Sequence, residues 1–225
     1  MQINFTQLTA QLSKETSPIY LLTGDEPLLL QEAQTLIRAQ AETKGFEERE
    51  LIFIDHNFKI STLQTLTESG CLFAQKRVID IRQQTAKIDS SMQKWLQSYC
   101  ENPNPDILII LSASKLTAAQ KKTKWVKSIA NTGLIVTIWP VQPRELPRWI
   151  KTKLRNSNIS ADQASIDMLA HFTEGNLLAT HQAILKLPIL FPNQPITAEK
   201  VKQVISDNAR FNVFDFSQYT MLGQT

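Results

Sequence analysis

Apolar positions along the first 140 residues alternate between two rhythms. Short β-branched runs stand at residues 19–22, 51–55, 77–82, 107–111 and 134–138, each bounded by turn or charged residues, and they read as strands. Between them the apolar spacing changes to that of a helix. Leu29, Ala33, Leu36 and Ile37 share one face of a helix opened by Pro27. Proline suits that first position because its missing N–H would go unpaired there anyway. Asp25 and Glu26 stand where the helix dipole favours negative charge, and Gly45 is placed to end the helix as a left-handed cap. Ile60, Leu63 and Leu66 mark a helix over 60–69, and Met92, Trp95, Leu96 and Tyr99 mark one over 88–100. Near the start, Asn4 and Gln7 have capping-box spacing, Ile3 and Leu8 form the matching staple, and Phe5, Leu8 and Leu12 give a buried stripe. Strands alternating with helices predict a parallel α/β sheet with right-handed crossovers. The run 107–111 is the most hydrophobic and belongs at its centre, with 134–138 closing it.

Three prolines between Pro140 and Pro147 interrupt this alternation, and beyond them the helical rhythm alone continues. Pro147 opens a helix carrying Trp149, Ile150 and Leu154. Ser160 and Gln163 have capping-box spacing ahead of Ile166, Leu169 and Ala170. Gly175 stops that helix, and Asn176 caps one with Leu177, Leu178, His181, Ile184 and Leu185 inward. Pro188, Pro192 and Pro195 then read as a loop, and Thr197 caps a helix with Val201, Val204 and Ile205 inward. The predicted organisation is an α/β domain over 1–140, a helical domain over 141–210, and the start of a third helical domain over 211–225. In that last stretch Phe211, Phe214 and Phe216 need something to pack on.

Composition narrows this picture only a little. Apolar residues make up 42% and charged residues 20%, as in ordinary globular domains, and the net charge is +3. No apolar run approaches the ~20 residues of a membrane span, and the N-terminus lacks the blocks of a signal peptide. Cys71 and Cys100 are too few for a disulfide framework, and His56, His171 and His181 show no metal-ligand spacing. A cytoplasmic protein without membrane contact, metal or cofactor is expected.

The candidate chemistry centres on residues 19–37. Strand, tight turn at Gly24 and helix are the opening of a nucleotide-binding domain. A phosphate-binding loop needs G-x-x-x-x-G-K-[ST], and here no second glycine, lysine or hydroxyl follows Gly24. Residues 77–82 end in Ile81 and Arg82 rather than in magnesium-holding acids, and Asp80 reads as a structural or edge residue. No nucleophile elbow or dinucleotide turn is present, so catalysis by this chain is not expected. In residues 115–127, Ala118, Trp125 and Ile129 share one helical face. Lys121, Lys124 and Lys127 lie opposite, and Lys122 falls toward the apolar sector. That lysine face is either a contact for phosphate backbones or a solvated surface. Leu72 and Phe73 follow Gly70 among polar neighbours. Adjacent helical positions diverge by about 100°, so the pair is either a projecting anchor for a partner's pocket or core at a helix end.

These stretches together resemble the delta subunits of bacterial DNA polymerase III clamp loaders. The matching residues are Tyr20-Leu21-Leu22-Thr23-Gly24-Asp25-Glu26-Pro27-Leu28-Leu29-Leu30-Gln31-Glu32, Ser69-Gly70-Cys71-Leu72-Phe73 and Lys115-Leu116-Thr117-Ala118-Ala119-Gln120. Leu146-Pro147-Arg148-Trp149, Glu174-Gly175-Asn176-Leu177-Leu178-Ala179 and Asp207-Asn208-Ala209-Arg210-Phe211 follow in the expected order. The resemblance implies an AAA+-like α/β domain, a helical lid domain and a helical collar, of which residues 211–225 hold the start. It implies a subunit that binds no ATP, grips the sliding clamp (beta) with a Leu-Phe pair and springs the ring for loading onto primed DNA. That pair maps onto Leu72 and Phe73, with Glu68, Gly70 and Cys71 in support. Glu68 stands where such motifs often carry glutamine. The implied partners are the clamp, the delta prime and gamma/tau subunits through the collar, and DNA within the complex. The implied role is accessory to a DNA-directed DNA polymerase, a nucleotidyltransferase. Two other readings stay open, a degenerate AAA+-type ATPase and a basic nucleic-acid-binding module.

Overall fold

The computed structural model describes residues 1–68, 76–83 and 88–205. Within Met1–Pro140, one compact unit, the short apolar runs become parallel strands: β1 (Gln2–Asn4), β2 (Ile19–Gly24), β3 (Phe46–Ile54), β4 (Lys76–Gln83), β5 (Ile107–Ala113) and β6 (Leu134–Ile138). They form one sheet in the order β1-β6-β2-β5-β4-β3. The hydrophobic run of β5 lies between β2 and β4 and is buried throughout. The strand expected to close the sheet does not: β6 has β2 on one side and β1 on the other. Residues 2–4 carry a single apolar side chain, Ile3, too short a run to announce a strand. The Met1 amino group, bound to the carbonyls of Ala130 and Gly133, ties this edge down.

Helices connect the strands in the anticipated places: α1 (Leu8–Leu12), α2 (Pro27–Glu42), α3 (Ile60–Glu68), α4 (Ser90–Glu101), α5 (Ala118–Lys121) and α6 (Lys124–Thr132). One sheet face presents Ile19, Leu21, Ile79, Ile81, Ile109 and Leu111 to a core completed by Leu63, Met92, Leu96, Trp125 and Ile129. The other face, carrying Tyr20 and Leu22, lies under α2, whose buried residues are Leu28, Leu29, Ala33, Gln34, Ile37 and Ala41. Leu36, expected on the buried stripe, is 36% exposed although Leu29, one heptad earlier on the same face, is buried. Gly45 has φ +85°, the left-handed cap that ends α2.

The helix expected across 115–127 is two helices. Thr117 closes a capping box with Gln120 around α5, and Thr123 stands at the N-cap position of α6 without a side-chain bond to its first turn. The break turns Ala118 to solvent, and Leu116 rather than Ala118 joins Trp125 and Ile129 in the core. Lys122, expected on the apolar side, ends α5 in solvent.

From Val141 on, a second compact unit is helical: α7 (Leu146–Asn156), α8 (Gln163–Phe172), α9 (Leu177–Leu190) and a helix over 198–205. Its core is Leu146, Ile150, Leu154, Ile166, Leu169, Ile184, Leu187 and Val201. The cap of α8 is Asp162, whose carboxylate accepts from the Ser165 N–H at 2.7 Å. The expected cap, Ser160, instead offers its carbonyl to Ile196 in an isolated bridge. In α9 the inward residues are Leu177, Thr180, Ala183, Ile184 and Leu187, while Leu178 and Leu185 face solvent. Thr180 can be buried because its hydroxyl bonds Thr173 Oγ1 and the Asn176 carbonyl. Pro188, expected in a loop, lies in the last turn of α9. His181 is half-buried on this helix.

Candidate functional site

In an open parallel sheet, ligands bind outside the carboxyl ends of the strands, where the chain order reverses. Here that place is the β2–α2 turn. Gly24 passes so close to β6 that a Cβ on it would lie 2.2 Å from the Ile138 carbonyl oxygen. Gly24→Ala is therefore expected to cost about 1–3 kcal/mol or more by forcing the strands apart, measurable as a lower urea midpoint.

The rest of the turn is occupied by the protein's own groups. The Thr23 hydroxyl donates to the Ser114 carbonyl at 2.9 Å and accepts from the Leu116 N–H at 3.1 Å. Asp25 Oδ1 accepts from the Lys115 N–H at 3.2 Å. Glu26 is the N-cap residue of α2, and Pro27 removes one of the helix's first N–H donors. Burial pushes the Glu26 carboxyl above its ordinary range, with the nearby Leu28 N–H pulling it part of the way back. A helix N-terminus attracts phosphate through unpaired N–H groups and positive potential. This one carries two carboxyl groups and a proline in that position. Titration of the chain with Mg-ATP is expected to give no saturable heat; a micromolar site would refute this.

Next to the turn lies an open cleft of about 340 Å³ lined in part by Gly24, Pro27, Gln34, Arg82 and Ser112. Its polar floor is a relay that the sequence pattern did not reveal. The buried Gln34 amide donates to Ser112 Oγ at 2.7 Å, and its oxygen accepts from Arg82 Nη2 at 3.2 Å. Its only sequence-level signal is a glutamine on the inward side of an otherwise apolar helix stripe. Further along β4, Asp80 is fully buried and structural, as read: Arg49 Nη2 lies 2.6 Å from its Oδ2, with Arg82 and Arg38 at 3.7 and 3.8 Å. Cys100 is also buried, and burial pushes its thiol up to about 11, so it remains protonated at neutral pH. No group of three His, Cys, Asp or Glu side chains among the described residues could hold a metal ion. No helix among them is long and apolar enough to cross a membrane.

Gly70, Cys71, Leu72 and Phe73 lie outside the described residues, as does the stretch 211–225, and the side chain of Glu68 is likewise not described. Their flanks are described. Glu68 ends α3, whose Thr67 carbonyl accepts from Asn104 Nδ2 at 3.4 Å. Lys76 opens β4 beside Phe46, and the next residue, Arg77, donates its N–H to the Asp106 carbonyl. These flanks stand at the amino end of β4, roughly 20 Å at ~3.3 Å per residue from the end that carries Arg82. At the same end a cleft of about 830 Å³ opens between α3, α4 and the loop before β5, floored by Ile60, Trp95, Tyr99 and Pro105. Lys121, Lys122, Lys124 and Lys127 are all exposed, and Lys115 Nζ sits 4.6 Å from the centre of the Trp139 ring.

Comparison with known proteins matches residues 20–138 to the family described as DNA polymerase III, delta subunit. DNA polymerase III subunit delta of Escherichia coli is 32% identical over 219 residues, covering 97% of this chain and 64% of the relative. The Haemophilus influenzae subunit delta is 29% identical over 222 residues, again covering 97% and 64%. The chain thus spans a little under two thirds of the length of these relatives. Among solved structures, the Bacillus subtilis DNA clamp loader delta protein superposes with a TM-score of 0.64 at 20% identity, covering 88% of this chain and 61% of that one. The Thermotoga maritima RuvB Holliday junction branch migration motor gives 0.54 at 15% identity, covering 89% and 68%. At those identities the likeness is one of fold, an AAA+-like sheet and its helices.

Proposed function

The chain belongs to the DNA polymerase III delta-subunit family, and on that premise we propose that it is a non-catalytic clamp-loader subunit. It binds the replication sliding clamp and opens the ring for loading onto primed DNA in the cytoplasm. The observation that carries this reading is the β2–α2 turn. The frame of a nucleotide-binding domain is kept, while Thr23, Asp25 and Glu26 turn its hydrogen bonds and charge toward holding the turn itself. A subunit built so has an interface to offer, with no phosphate chemistry of its own. It is accessory to the polymerase that its family is named for. Its contacts with delta prime and gamma/tau subunits are assigned to a helical collar, of which residues 211–225 hold the start.

The clamp contact is assigned to Leu72 and Phe73, with Glu68, Gly70 and Cys71 shaping the segment around them. Support comes from the polar flanks of the pair and from its position in sequence between α3 and β4. The described flanks stand at the opposite end of β4 from the nucleotide-type cleft, so a clamp held there leaves that cleft uninvolved. The deciding experiment is binding of the chain to an immobilised sliding clamp without nucleotide. Saturable binding that Mg-ATP leaves unchanged is expected. Binding that appears only with Mg-ATP would favour the degenerate-ATPase reading and overturn this one.

A further inference from the structure

A second surface of the α/β unit is built for a charged partner. In the sheet register Leu51 stands beside Asp80 and Phe53 beside Arg82, so the four side chains share one face. Leu51 and Phe53 are 40% and 49% exposed there, and α2 reaches over the edge of the patch through Gln34 and Arg38. Around the single buried carboxylate of Asp80 stand three guanidinium groups from three different elements: Arg38 on α2, Arg49 on β3 and Arg82 on β4. One negative charge against three positive ones leaves an excess of two. The arginine side chains keep 25–37% of their surface in water, so the excess is presented outward. Arg49 makes the short bond to Asp80, while Arg38 and Arg82 stand beyond hydrogen-bond distance from it. Desolvation, then the charge of Arg49, holds the Arg38 guanidinium below its ordinary value, with Arg82 adding to the effect and Asp80 opposing it. An arriving anion would relieve that mutual repulsion. Arg82 also lies over the open Phe53 ring, 5.9 Å from its centre.

We propose that Arg38, Arg49, Arg82 and Phe53 form a binding site for single-stranded nucleic acid. The guanidinium N–H groups left over from the bonds to Asp80, Gln34 and Thr35 hold backbone phosphates, and the Phe53 ring stacks on an unpaired base. A single strand supplies negative charge at regular spacing and a flat aromatic face for every charge, the combination this patch complements. A duplex keeps its bases stacked inside and offers nothing to Phe53. The site is separate from the lysines of α5 and α6 and does not depend on the clamp reading, since nucleic acid alone tests it.

The test is fluorescence anisotropy of a labelled oligodeoxythymidine with the whole chain over a series of salt concentrations. Arg38→Gln/Arg82→Gln leaves the Arg49–Asp80 bond in place. It is expected to weaken binding about tenfold or more at low salt and to reduce the log–log salt slope by about 1.4, at ~0.7 per phosphate for single strands. Phe53→Ala, at an exposed ring, is expected to weaken binding about five- to hundredfold with the slope unchanged. Several results would overturn the proposal. They are no oligonucleotide binding by the parent chain, unchanged affinity in both variants, and loss of binding in Lys121→Ala/Lys124→Ala instead. Displacement by polyglutamate as effective as by unlabelled oligonucleotide would also do so, by marking the patch as a dock for an acidic protein.

Discussion

Phe73→Ala should weaken binding to the sliding clamp by roughly 30- to 700-fold. An aromatic anchor buried in a partner's pocket is commonly an interface hot spot, and its truncation costs ~2–4 kcal/mol, at ~1.4 kcal/mol per factor of ten. Leu72→Ala should lose somewhat less, because leucine buries less area. The competing assignment makes the pair part of the core of the α/β unit, where the same truncations would cost ~2–5 kcal/mol of stability. Clamp affinity and thermal melting measured side by side on Leu72→Ala/Phe73→Ala separate the two. Lost affinity with a nearly unchanged melt is the expected result. A large fall in melting temperature, with the remaining folded protein still gripping the clamp, would return the pair to the core.

What could be read from the residues depended on the range over which each interaction acts. Strands β2, β4, β5 and β6, the second half of β3 and most of the helices between them announce themselves locally, whereas the exposed first half of β3 (residues 46–50) carries no burial pattern to read. Where the deciding contact is distant, the local signal misleads. Residues 2–4 are a strand because β6, more than 130 residues later, offers them an edge. On α9, Leu178 and Leu185 looked more hydrophobic than Thr180, yet Thr180 is inside because Thr173 receives its hydroxyl. The lysine-rich helix is broken at Thr123, whose hydroxyl donates back to the Gln120 carbonyl at 2.6 Å, and a pattern of charges alone does not show where one helix ends and another begins.

The candidate site divides along the same line. The loss of phosphate chemistry was legible because the glycine, lysine and hydroxyl of a phosphate loop are contiguous, and their absence after Gly24 is too. What fills their place was not. Gln34, Ser112 and Arg82 are separated by 78 and 48 residues along the chain, and only the register of β4 and β5 under α2 brings them together. The excess of arginine around Asp80 is of the same kind: three elements contribute one residue each, and no stretch of sequence looks basic.

Asp80→Asn is expected to destabilise the α/β unit by about 2–4 kcal/mol. Asp80 is fully buried, and removing its charge leaves three guanidinium groups facing one another without a counterion. Breaking a buried ion pair from one side typically costs ~3–5 kcal/mol. The lower range applies here because the arginine heads are partly hydrated and can turn toward water. For a unit of this size the change corresponds to a fall in melting temperature of roughly 5–15 °C. Arg49→Met should cost less, since Arg38 and Arg82 still face the carboxylate at 3.8 and 3.7 Å. The order of the two variants is the sharper test. If repulsion among the arginines is what Asp80 relieves, added phosphate should raise the melting temperature of Asp80→Asn more than that of the parent chain, by standing in for the missing carboxylate. Equal shifts in both proteins would show that the arginines turn outward without strain, and that the loss of stability in Asp80→Asn comes from its unpaired amide alone.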